Sequence, residues 1–200
     1  VTKEDYITRI YALPTKYRNV AKCYIVQDTQ LDNSNIEGTG RIMNPLALNL
    51  YVLGFNANKK LVNLNEAVKQ NIQTYLTQFR MVTDAINIKN AFVINIGVKF
   101  NLLTKVGYNK QEVVLRAIQK VKTFFDIDKW QIGQPIIVAD LAYQISLTEG
   151  VSAIVPPEDD NPNGLPVLIT NKHSVASGYS GNLYDIVSAT KNGVVYPSID

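Results

Sequence analysis

Few side chains in this chain could carry out chemistry, and their spacing argues against most of it. His173 is the lone histidine and Cys23 the lone cysteine. Nucleophilic catalysis needs a base beside its nucleophile, yet no Ser-in-elbow or Cys-centred motif accompanies His173. His173 lies among Asn, Lys, Ser and Gly and reads as an exposed loop residue. Cys23 shares a strand parity with Ala21 and Ile25 and reads as a buried structural thiol. One Cys and one His cannot complete a structural zinc site. No catalytic residue, metal or cofactor is expected, and the chain reads as a non-enzyme.

Three weaker patterns need a physical test. Asp159, Asn161, Asn163 and Gly164 match the first half of a calcium loop. Thr170 stands where the bidentate Glu belongs, and Pro162 and Pro166 stiffen the segment, so a surface turn is the better reading. Gly38-Thr39-Gly40 has no Gly-Lys-Ser/Thr behind it and falls short of a phosphate loop. Lys110, Arg116, Lys120 and Lys122 make the most basic segment, without interleaved aromatics, which fits a solvated helix face.

Composition bounds the class. The 200 residues are 46% hydrophobic and 18% charged with a net charge of +3, values of a globular protein without the strong basic balance of a polyanion binder. No apolar run is long enough to span a bilayer. A single cysteine excludes an internal disulfide and fits a reducing compartment. No Asn-x-Ser/Thr acceptor occurs. Starting at Val1 and ending just after a strand-like run, the chain is expected to be a fragment of something longer.

The elements around these residues are more legible. From Ala91 to Leu103, Phe92, Ile94, Ile96, Val98, Phe100 and Leu102 alternate with Asn95, Gly97, Lys99 and Asn101. Period two predicts one long strand with a buried face, packed against the helices carrying Ile72 and Ile118. Apolar residues at three and four from Leu64 to Phe79, and again from Val113 to Phe125, predict amphipathic helices. A third helix follows Pro135 and stops near Gly150. Thr2 and Asp5 resemble a capping box ahead of a short helix bearing Tyr6, Ile7, Ile10 and Tyr11. Strands are expected at 20–26, 46–56, 82–88, 151–155, 167–170, 183–190 and 194–196, the last two joined by Lys191-Asn192-Gly193.

In order, the elements from Leu48 to Val155 follow the split strand-helix-strand pattern of ferredoxin-like folds. The expected class is α+β, an antiparallel sheet with helices on one face. Residues 46–156 form this domain, inserted into a small mainly-β domain made by the two chain ends, 1–45 and 157–200. In that arrangement 20–26 and 183–190 share a sheet.

Leu76, Arg80, Thr83, Asp84 and Ile88 form a helix-to-strand stretch with a Thr-Asp pair, Trp130, Ile132, Gly133 and Gln134 a Trp-x-Ile-Gly-Gln run, and Gly150-Val151 a closing Gly-Val. With these motifs in this order, the run from Leu64 to Val155 resembles the baseplate J-like family of contractile-tailed phages, in particular the C-terminal half of T-even-type baseplate wedge proteins. The tail, Gly178-Tyr179-Ser180-Gly181 through Tyr184 to Thr190, is similar to the T-even-type branch.

The resemblance implies a structural component of a contractile tail baseplate, located in the virion and assembled in the host cytoplasm. It implies copies that pair as a homodimer, a ring around the tail hub, and contact with other wedge proteins. It implies no catalysis, cofactor, nucleic acid or membrane. The stripe Tyr6, Ile7, Ile10 and Tyr11 is the candidate interface on this chain. The rival readings are a nucleic-acid- or glycan-binding module and an enzyme with an unrecognised site. Against the first, Tyr24, Tyr51, Tyr75, Tyr108, Tyr143 and Tyr184 are dispersed over several elements.

Overall fold

A computed structural model describes residues 2–13, 20–27, 47–80, 85–158, 161 and 163–198. These fall into two compact units that divide between Ala91 and Phe92.

The first unit is organised around one central strand. β1 (Val20–Gln27) and β2 (Ala47–Phe55) form a long antiparallel ladder, from Val20 opposite Gly54 to Gln27 opposite Leu48. β3 (Leu61–Val62) returns on the end of β2 through a turn in which Asn56 Oδ1 accepts the Asn58 and Lys60 amides, both at 2.9 Å. β4 (Ala85–Asn90) pairs parallel to β2. A parallel partner requires a crossover, and α2 (Glu66–Thr77) supplies it. Asn65 starts this helix by accepting the Val68 amide at 2.9 Å. The capping box of α1 (Lys3–Tyr11) forms as expected: Asp5 N–H donates to Thr2 Oγ1, and Thr2 N–H to Asp5 Oδ2. Tyr6 and Ile10 of α1 and Ile72 and Leu76 of α2 close over Cys23, Ile25, Leu50 and Val52 of the sheet.

In the second unit the run after Phe92 departs from the single long strand expected. β5 (Ile96–Lys99) pairs antiparallel with β9 (Leu168–Asn171), and β6 (Asn101–Thr104) with β8 (Val151–Val155). One run, 96–104, therefore pairs with two strands, β8 and β9, that are separated in the sequence. Phe100 falls at that break and belongs to neither ladder. The parity reading holds where the strand exists: Ile96, Val98, Phe100 and Leu102 pack on the core, while Lys99, Asn101 and Leu103 are exposed.

The helices of this unit are α3 (Lys110–Phe124) and α4 (Val138–Ser146). They supply Ala117, Val138, Leu141 and Ile145 to a core shared with Val167, Ile169, Ile186 and Val195. Ile72 belongs instead to the core of the first unit, and Ile118 is exposed. β7 (Ile136–Ile137) precedes α4 and pairs with β11 (Val194–Val195), which pairs in turn with β10 (Thr190–Lys191). Asn192 and Gly193, with φ of 52° and 77°, make the turn between β10 and β11 that the Asn-Gly pair predicts.

The α+β class is thus observed, with its strands distributed over several small sheets rather than one ferredoxin-like sheet. The sheet expected from both chain ends does not form: β1 pairs with β2, and 183–189 contains no strand. The reason is local. Asp185 Oδ1 accepts the amides of Val187 and Ser188 at 3.1 and 3.3 Å and starts a short helix, α5 (Ile186–Ala189). The compact units accordingly divide at 91/92 rather than at 45/46 and 156/157. Among the described residues, no helix is long and apolar enough to cross a membrane.

Candidate functional site

Among the described residues of the second unit, Trp130, Ile132, Gly133, Gln134 and Gly150, which carry the sequence resemblance, line no common pocket. Most of them hold the backbone in place. Trp130 stands after α3 and a short 3-10 turn, Ile127–Lys129. Its indole Nε1 donates to the Phe124 carbonyl at 2.7 Å, satisfying an acceptor that the end of α3 leaves open. The ring stacks on Phe125 at 5.6 Å between centroids and meets Phe124 edge-on at 5.5 Å. Gln134 closes the loop that follows: its Oε1 accepts the Gln131 amide at 3.0 Å, and its own amide donates to Gln131 O at 3.3 Å. Gly133, with φ of 73°, occupies the left-handed position between them.

Gly150 sits between α4 and β8 with φ of 89°. Its carbonyl accepts the Lys105 amide at 2.9 Å. The neighbouring Glu149 reaches Arg116 of α3 at 3.5 Å, and Tyr108 Oη donates to Glu149 Oε1 at 3.5 Å. Arg116 also pairs with Glu112 one turn earlier.

The Gly178-Tyr179-Ser180-Gly181 segment acts as a clamp. Ser180 N–H donates to Asn95 Oδ1 at 2.8 Å and Ser180 Oγ to Val93 O at 3.0 Å. Asn182 Nδ2 donates to the same Val93 carbonyl at 2.7 Å. Of the groups a strand ladder would use, these bonds occupy the Val93 carbonyl, while the Asn95 side chain holds the Ser180 amide. Tyr184 then donates its hydroxyl to Tyr196 O at 2.8 Å and accepts the Ser198 amide at 3.0 Å, pinning the tail. Asn95 and Asn182 were not singled out in the sequence; their signal was polar residues flanking an apolar strand pattern.

The remaining described candidates are exposed or held by their own local structure. His173 is exposed. Asn161 has its side chain engaged by its own loop, donating to the Pro157 and Leu165 carbonyls at 3.0 and 2.9 Å and accepting the Leu165 amide. Asp159, Gly38-Thr39-Gly40 and the Thr83-Asp84 pair lie outside the described residues. Among the described residues no cluster of His, Cys, Asp and Glu could hold a metal ion. Cys23 is buried, which pushes its thiol pKa up. Its amide donates to Tyr11 Oη at 3.3 Å, and burial raises the Tyr11 hydroxyl to about 12. Of the proposed interface stripe, Tyr6 and Ile10 are core residues and Ile7 packs against that core, because the short helix needs this face to dock on its sheet. Tyr11 alone of the four is exposed, at 37%, and its hydroxyl reaches back to the part-buried Cys23 amide.

No family model and no curated protein matches the chain. Among solved structures it is similar to a chain of the six-fold symmetrised electron cryo-microscopy structure of the anti-feeding prophage baseplate. The TM-score is 0.55 at 10% identity, over 85% of this chain and 33% of that one. The likeness is one of fold, and this chain spans about a third of the chain it matches.

Proposed function

We propose that this chain is a structural part of a contractile tail baseplate, of the wedge type, working by association rather than catalysis. The observation that carries the proposal is the shared fold with a chain of the anti-feeding prophage baseplate across 85% of the sequence. The disposition of the signature residues supports it. Trp130, Gly133, Gln134 and Gly150 hold turns and a helix end, which is what a scaffold asks of its distinctive residues. On this reading the chain self-associates, joins other wedge proteins around the tail hub, and resides in the virion after assembly in the host cytoplasm.

Gradient-purified tail particles from the natural source, probed with an antibody against this chain, test the proposal. Co-migration of the chain with intact particles is expected. Its absence from particles that otherwise hold a complete baseplate would overturn the proposal.

A further inference from the structure

We draw no further inference here: the strongest candidate, the open groove of the second unit between α3 and residues 98–102, is bordered by apolar and charged side chains alike, and nothing in the structure shows what covers it.

Discussion

Gly150 packs its bare backbone against Val113: a Cβ built at position 150 would lie 2.6 Å from Val113 Cγ2. The Tyr108 ring is on the same side, its Cδ1 at 2.8 Å. α3 and the start of β8 can approach this closely only because the residue between them has no side chain.

Gly150→Ala combines that collision with a left-handed backbone, and is expected to cost about 2–4 kcal/mol. Trp130 is the one tryptophan in the chain and lies in the same unit, so its fluorescence in a urea titration reads the effect locally. A midpoint unchanged from the parent would contradict the packing described.

Trp130→Phe keeps a ring on Phe125 but removes the donor to the Phe124 carbonyl, and should cost about 1–2 kcal/mol. Trp130→Ala also removes the ring and should cost about 3–5 kcal/mol. Thermal unfolding followed by circular dichroism separates the two. Equal losses would mean that the hydrogen bond and ring contacts are not the source.

Leu141 and Leu115 are both helical leucines, 0% and 65% exposed. Leu141→Ala should destabilise by about 2–5 kcal/mol, whereas Leu115→Ala should stay within about 0.5 kcal/mol. A large loss at Leu115 would show that its face is covered in the isolated chain.

Tyr11 carries a pH prediction. Its folded-state pKa, about 12, is raised above the ordinary 10.0 by burial. A group raised in this way contributes stability that is complete below the unfolded value and lost as pH climbs through the folded one. The parent should therefore lose stability between about pH 10 and 12, and Tyr11→Phe should lose less over that window. Parallel alkaline curves for the two proteins would contradict the assignment.

What the sequence made legible follows from how local each signal is. The capping box at Thr2, the stripe of α3 and the Asn192-Gly193 turn depend on neighbours within a few residues, and all three form. The strand parity from Ile96 to Leu102 was readable for the same reason. What it could not carry was pairing between distant segments. Asn95 and Ser180 are 85 residues apart, and the bond that joins their segments has no local signal. The change of partner from β9 to β8 that splits the run at Phe100 is likewise invisible to periodicity, as is the choice of β2 over the C-terminal segment by β1. At Leu183 to Thr190 strand composition competed with one capping aspartate, and the cap won. On α1 the stripe places Tyr6, Ile7 and Ile10 on the core of their own unit, since amphipathicity does not say which surface a face will meet.

The most direct test of the baseplate reading is electron cryo-microscopy of tail particles that carry this chain. The account predicts density at the baseplate end of the tail into which the two units fit, repeated around the tail axis and in contact with neighbouring subunits. Density for the chain elsewhere in the particle, or particles with a complete baseplate and no density for it, would contradict the account.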